Sequence, residues 1–341
     1  MMLDASTGPA DGSASASRQE RGRESATYPL RGKRVFVAGH RGMVGSALVR
    51  RLQREDCEIL TADRSALDLR RQADTEEWFA EARPNVVFVA AAKVGGILAN
   101  RDHPADFLHD NLMIGSNIME AGRRSGVERL VYIGSSCIYP RLAAQPIREE
   151  ELLAGPLEPT NEAYAVAKIA GIKLVQAYRK QHGCRFIAAQ PCNLYGPGDN
   201  FDLTSSHVLP ALMRKAHEAK VEGRDRMIIW GSGAPLREFL HVDDSADALV
   251  FLARHYDSGE IVNVGSGQEM TIRQLAEAVA DVVGFRGQFV FDSSKPDGTP
   301  RKVLDLHRLH GLGWRHSIAL ESGLRSTYQW FLAHQADLVA S

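Results

Sequence analysis

The 341-residue chain is predicted to be an α/β protein: a doubly wound parallel sheet with a smaller, discontinuous second domain towards the C-terminus. Three observations carry this. From Lys33 onward, short apolar runs alternate with amphipathic stretches at the spacing of βαβ units. Runs such as Val86-Val-Phe-Val-Ala90 are apolar at every position, as strands covered on both faces are. A glycine loop, Gly39-His-Arg-Gly42-Met-Val-Gly45, stands between the first run and the first amphipathic stretch.

The predicted strands are 34–38, 58–61, 85–90, 129–135 and 185–190, each set between helical patterns at 44–54, 74–82, 104–124 and 161–182. After Gln190 the order loosens into Asn193-Leu-Tyr-Gly-Pro-Gly-Asp-Asn200, where the chain is expected to leave the first domain. That domain is placed at 29–200 and about 227–262, so that a strand at 227–230 and a helix at 243–254 return to the sheet. The second domain takes about 201–226 and 263–341, with helices at 271–283 and 317–333. Residues 1–28 have too few large apolar side chains to offset the entropy of ordering and are expected to be a disordered tail.

Composition narrows the function. With 44% hydrophobic residues the chain can bury a sizeable core. Its 41 basic and 42 acidic side chains nearly cancel, so no whole-chain field draws nucleic acid or an anionic membrane, and a small ligand is the expected partner. No apolar run approaches the roughly 20 residues that cross a bilayer, and a cytoplasmic location is expected. Cys57, Cys137, Cys184 and Cys192 fit neither a disulfide framework nor a metal site and are read as free thiols. No metal is expected.

The glycine loop follows a strand and opens a helix. Gly39 permits a tight turn, Gly42 lets backbone approach a pyrophosphate, and Gly45 allows close packing of helix on strand, with phosphate at the helix N-terminus beside His40, Arg41, Met43 and Val44. This is a Rossmann arrangement, although its GxxGxxG spacing departs from GxGxxG. Beyond the second strand, Asp63 suits the ribose 2′-hydroxyl of NAD, whereas Arg64, with Arg41, suits a 2′-phosphate; the two arginines favour NADP(H). Asp68 could accept from the adenine amine.

Tyr164-Ala-Val-Ala-Lys168 puts a phenol and an ammonium on one helix face. Tyrosine ionises near pH 10, so the lysine charge is expected to lower it towards neutrality and also to hold the nicotinamide ribose. Gly39-x-x-Gly42-x-x-Gly45, the strand-end pair Ser135-Ser136 and Tyr164-x-x-x-Lys168 together resemble the extended short-chain dehydrogenase/reductases, which act on nucleotide sugars. Within that family, Ala90-Ala-Ala-Lys-Val-Gly-Gly-Ile97, Gly134-Ser-Ser-Cys-Ile-Tyr-Pro140, the run from Glu158 to Gly171 and Lys295-Pro-Asp-Gly-Thr-Pro-Arg-Lys302 are similar to a subfamily of 3,5-epimerase-4-reductases. The resemblance runs from about Lys33 to Phe331.

It implies a bifunctional enzyme acting on GDP-4-keto-6-deoxy-D-mannose, inverting C3 and C5 through enolates and then reducing the ketone with NADPH. By position, Cys137 matches the base and His207 the acid, with His207 also near the cofactor. The chemistry is plausible for these types: a free thiol is a few per cent thiolate at neutral pH, a neighbouring cation raises that fraction, and imidazole titrates near 6.5. Ser135 and Tyr164 would hold the C4 oxygen; whether Ser135 or Ser136 makes that contact depends on where the strand ends.

Further carry-over places Lys215, Trp230, Arg237 and Asp297 in the GDP-sugar site, with the Arg237 fork on pyrophosphate. Pro191, Cys192, Asn193 and Leu194 would pass under the nicotinamide, Cys192 through backbone because it stands where a threonine is expected. The family also implies a homodimer formed by the helices at 104–124 and 161–182. Taken alone, each residue has a blander reading: a buried thiol is usually inert, and a histidine beside two serines often belongs to a helix start. Two rival functions remain on the sequence: an NAD-retaining epimerase or dehydratase of the same fold, and a non-catalytic NADP sensor.

Overall fold

The computed structural model describes residues 27–295 and 297–340, with side chains at all of these but 97 and 336–340. In chain order the strands are β1 (Arg34–Ala38), β2 (Glu58–Leu60), β3 (Val86–Val89), β4 (Arg129–Ile133), β5 (Phe186–Pro191), β6 (Asn193–Tyr195), β7 (Arg226–Trp230), β8 (Leu236–His241), β9 (Val262–Val264), β10 (Glu269–Thr271), β11 (Gln288–Asp292) and β12 (Arg301–Lys302). The helices are α1 (Met43–Leu52), α2 (Gln72–Ala82), α3 (Ile97–Asp102), α4 (Pro104–Arg124), α5 (Glu162–His182), α6 (Val208–Val221), α7 (Val242–His255), α8 (Ile272–Val283), α9 (His307–Gly311) and α10 (Leu320–Ala340).

The central sheet has the order β2-β1-β3-β4-β5-β9, and every pairing in it is parallel. β1, β3, β4 and β5 are almost entirely buried, which is why their sequences are apolar at consecutive positions rather than alternately. Helices α1 and α7 pack together, as do α4 and α5. Helix ends follow local chemistry: α1 closes with Arg50 and Arg51 against its negative end, α5 stops at Gly183 with φ 68°, and α8 opens with a Thr271–Gln274 capping box.

A second core gathers Tyr195, Phe201, Met213, Leu275, Leu324 and Phe331 under α6, α8 and α10. The strand expected to return to the central sheet at 227–230 lies here instead: β7 pairs in parallel with β11. Its pattern explains the difference, for Met227 and Ile229 are buried while Ile228 and Trp230 face outward, the alternation of a strand covered on one side only. Helix α7 does pack on the first core, as does the C-terminal segment carrying Leu304, Leu306, Leu309 and Trp314. A small sheet, β10-β8-β12 with β6 also on β8, joins the two cores.

Of the tail expected at 1–28, residues 1–26 lie outside the described residues. Tyr28 is part of the fold: its N–H donates to the Arg254 carbonyl at 2.8 Å and its hydroxyl to Glu128 at 2.7 Å. The Arg129 guanidinium lies 5.1 Å from its ring centroid, so the aromatic ring is what anchors the chain here. Among the described residues no helix is long and apolar enough to cross a membrane, no disulfide links the four cysteines, and no cluster could hold a metal ion.

Candidate active site

In a parallel sheet all carboxyl ends lie along one edge, so β1, β2, β4 and β5 deliver their following loops to the same side. The glycine loop leaves β1 there. Gly39 has φ 82°, and a Cβ on it would lie 2.7 Å from the Ala91 backbone; one on Gly45 would lie 2.0 Å from the Gly39 carbonyl oxygen. Both positions therefore require glycine. Gly42 is the N-cap of α1 and provides no side-chain cap, so the helix start at Met43 and Val44 presents N–H groups without a side-chain acceptor. These features fit the pyrophosphate of a dinucleotide.

Beyond β2, Arg41 donates to Asp63 at 2.6 Å and His40 Nε2 lies 3.3 Å from the same carboxylate, while Arg64 is exposed. Asp68 accepts from the Arg70 side chain at 2.7 and 2.9 Å, which holds its pKa down at about 2.

The end of β4 carries the candidate catalytic residues. Gly134 has no room for a side chain, because a Cβ would lie 1.8 Å from Gln190 Oε1, and that oxygen accepts from the Ser135 N–H at 3.1 Å. Ser135 caps a short turn, 136–138, its hydroxyl accepting from the Cys137 N–H at 3.2 Å. The same hydroxyl meets the Tyr164 phenol, whereas Ser136 is buried; the geometry thus places Ser135 beside the tyrosine. Two donors point at the Cys137 sulfur: Asn161 Nδ2 at 3.4 Å and the Lys302 ammonium at 3.6 Å. With Tyr139, Arg141 and Thr299 these groups line one cleft.

Helix α5 brings in the phenol and the ammonium. Gly171 permits this, since a Cβ there would lie 2.3 Å from the Tyr132 ring. Lys168 is buried and donates to the Ile133 carbonyl at 2.8 Å; loss of water pushes its pKa down to about 8. The expected effect of this lysine on Tyr164 is not what the structure shows. Its ammonium lies 5.7 Å from the phenol ring centroid, and burial, then Cys137 and Tyr132, push the Tyr164 pKa well up, opposed only by the Ser135 hydrogen bond. Tyr164 is thus a protonated donor near neutrality.

His207 is the N-cap of α6 and reaches the surface. Crowding of its ring by protein, then the Lys302 charge, hold its pKa below the usual histidine range. Pro191 ends β5 in register with Val264, Cys192 is buried with its N–H on the Val264 carbonyl at 2.9 Å, and Asn193 and Leu194 pass into β6.

The second core supplies the outer wall. Lys215 is half-buried, donates to the Ile228 carbonyl at 3.2 Å and lies 4.8 Å from the Trp230 ring centroid. Arg237 bonds the Leu236 carbonyl at 2.9 Å and approaches the Asp297 carbonyl at 3.4 Å. Both Asp297 carboxylate oxygens accept from Ser232, at 2.7 and 2.8 Å. In β12, Lys302 is the register partner of Arg237.

Three participants escape sequence reasoning. Lys302 reaches Cys137 across 165 residues, and no local spacing signals that contact. Asn161 is the N-cap position of α5 without a side-chain capping bond, so an apparent helix start supplies a donor to sulfur. Gln190 is fully buried in an apolar strand; a lone polar residue there is the signal that could have found it.

Residues 35–265 match the NAD dependent epimerase/dehydratase family. The chain belongs to that family. Among its relatives, the GDP-L-fucose synthase of Sinorhizobium fredii is 60% identical over 310 residues, 91% of this chain and 99% of that protein. The GDP-L-fucose synthase of Escherichia coli K12 is 54% identical over 313 residues, 89% of this chain and 98% of that one. A solved structure of a GDP-L-fucose synthetase from Naegleria fowleri bound to NADP superposes with a TM-score of 0.84 at 30% identity, covering 92% of this chain and 98% of that one. The resemblance to extended short-chain dehydrogenase/reductases and the doubly wound fold both hold for this member of the epimerase/dehydratase family.

Proposed function

We propose that the chain converts GDP-4-keto-6-deoxy-D-mannose to GDP-L-fucose by inverting C3 and C5 and then reducing the 4-ketone at the expense of NADPH. The observation that carries this is the setting of Cys137: a sulfur facing two donors, directly beside the Ser135–Tyr164 pair. A plain reductase needs the second feature and has no use for the first.

In the epimerisation half, Cys137 takes the proton from the carbon beside the ketone, and the charge that moves to the C4 oxygen is met by the Ser135 and Tyr164 hydroxyls. His207, once protonated, returns a proton to the same carbon on the other face; the thiol then loses its proton to solvent and the imidazole regains one, and the sequence repeats at the second centre. Lys302, bonded to the sulfur and felt by the imidazole, links base and acid electrostatically. Because crowding by protein and the Lys302 charge hold the His207 pKa below the usual histidine range, the imidazole must take up a proton from solvent before it acts as the acid.

NADPH, when bound, supplies the hydride. Tyr164, kept protonated by burial, gives its proton to the C4 oxygen, and the Lys168 ammonium holds the nicotinamide ribose. The loop from Gly39 to Gly45 takes the pyrophosphate, Arg41 and Arg64 take the 2′-phosphate, Asp68 meets the adenine amine, and Pro191, Cys192, Asn193 and Leu194 support the nicotinamide. Lys215 and Arg237 hold the GDP phosphates, with Trp230 and Asp297 beside them. The enzyme works in the cytoplasm as a homodimer formed through α4 and α5.

The test mixes purified protein, NADPH and the ketosugar in deuterated water. We expect stoichiometric loss of reduced-nicotinamide absorbance, with deuterium at C3 and C5 of the product. No NADPH oxidation would sink the reading, and oxidation without deuterium would reduce it to a 4-reductase.

A further inference from the structure

At the end of β2 the chain carries both residue types that read a ribose 2′ position. An acidic side chain there accepts from the 2′-hydroxyl of NAD, and an arginine accommodates the 2′-phosphate of NADP. In this structure the two are joined. Asp63 Oδ2 accepts from Arg41 Nη2 at 2.6 Å, and Oδ1 lies 3.3 Å from His40 Nε2. The Arg41 side chain is 77% exposed and that of Asp63 38%, so the carboxylate at the strand end pins a guanidinium that otherwise stands in solvent. Asp63 Oδ1 is enclosed by protein without an aligned hydrogen-bond donor, so the carboxylate acts at the surface through Oδ2 and its bond to Arg41. Arg64 is exposed and makes no ion pair among the described residues.

We propose that Asp63 is a specificity-determining residue that admits NADH beside NADPH, by competing with a 2′-phosphate for Arg41. A phosphate of about −1.5 to −2 charge must take Arg41 from Asp63 and then stand beside the carboxylate it has stripped. NADH makes neither demand. Arg64, which makes no ion pair among the described residues, keeps NADPH bound well enough that neither nucleotide is excluded. The inference rests on the cofactor edge assigned above, and it concerns binding rather than turnover.

Isothermal titration of NADPH and NADH into wild-type protein, Asp63→Ser, and Asp63→Ser combined with Arg41→Met tests it at fixed ionic strength. The wild-type dissociation constants are expected to agree within about tenfold, equivalent to about 1.4 kcal/mol. Asp63→Ser should shift the ratio at least about tenfold towards NADPH, and Arg41→Met should remove that gain. A larger wild-type preference for NADPH, or an unchanged ratio in Asp63→Ser with both nucleotides bound, overturns the role of Asp63 and leaves the cofactor edge standing. If neither nucleotide binds the wild type, the cofactor edge falls and the role of Asp63 falls with it.

Discussion

Lys302 and Asp199 show how much one side chain can carry. Lys302 is the only charged group bonded to the Cys137 sulfur among the described residues, and its field also reaches His207. Replacing it with Met should slow deuterium exchange at C3 and C5 at least about tenfold, the usual scale for a group that assists proton transfer, while NADPH affinity stays unchanged. Equal exchange rates would show that sulfur needs no cation here. Asp199 sits in the loop after β6, where Gly198 approaches Met43 and Ser46 of α1. It is buried, one carboxylate oxygen has no partner, and burial pushes its pKa up to about 7. The folded state therefore holds a proton that the unfolded chain releases near pH 4. The stability linked to that proton is complete below about pH 4 and lost as pH rises through about 7. Asp199→Asn, which keeps the acceptor for the Asn200 N–H, should be about 2–4 kcal/mol more stable than wild type at pH 8, with the gap narrowing towards pH 5. Denaturant titrations at both pH values check this.

At the scale of elements, the proposed catalysis depends on how α5 lies on β4. Tyr132 of β4 fills the space that Gly171 leaves open, and the Lys168 ammonium sits 5.1 Å from the same ring centroid. An added methyl group cannot be absorbed by rotating an aromatic ring buried between α4 and α5, so the helix must lift. Gly171→Ala should cost about 1–3 kcal/mol of stability. It should also lower kcat for NADPH oxidation at least about tenfold, since small misplacements of aligned groups are expensive. A variant with reduced stability but full kcat would show that α5 can move without dragging Tyr164 and Lys168 out of line. The pair β8–β12 works similarly: Glu238, wholly buried, accepts from the N–H groups of Gly267 at 2.6 Å and Leu304 at 2.9 Å, tying down the strand that carries Lys302.

For the whole molecule, there are two hydrophobic cores, and the proposed reaction needs both: the first for Cys137, Tyr164 and Lys168, the second for Lys215, Trp230 and Arg237. On the outside, Val166 of α5 is 41% exposed, and Leu112, Met113 and Ala170 on the α4–α5 face are partly exposed. A homodimer through these helices would cover them. Val166→Glu should shift sedimentation from dimer to monomer, because an uncompensated carboxylate in an apolar interface is costly to desolvate. A wild-type monomer, or a variant that stays dimeric, would rule out that interface.

Local features were enough to read the doubly wound sheet, the glycine loop and the Tyr164–Lys168 spacing, because strand burial, tight turns and helix faces are set by residues a few positions apart. The same local logic misplaced β7, whose partner β11 begins 58 positions after its own last residue. It also missed Lys302, and it anticipated a tyrosine acidified by its lysine. Those matters depend on distance and burial in three dimensions. The chain alone determined which chemical groups are present and where the glycine loop stands; only the tertiary structure decided that Lys302 and Asn161 face the sulfur, that Asp63 holds Arg41, and that burial outweighs Lys168 at Tyr164. Electrostatic and packing energies fall off over a few ångströms, and separation along the chain says nothing of them.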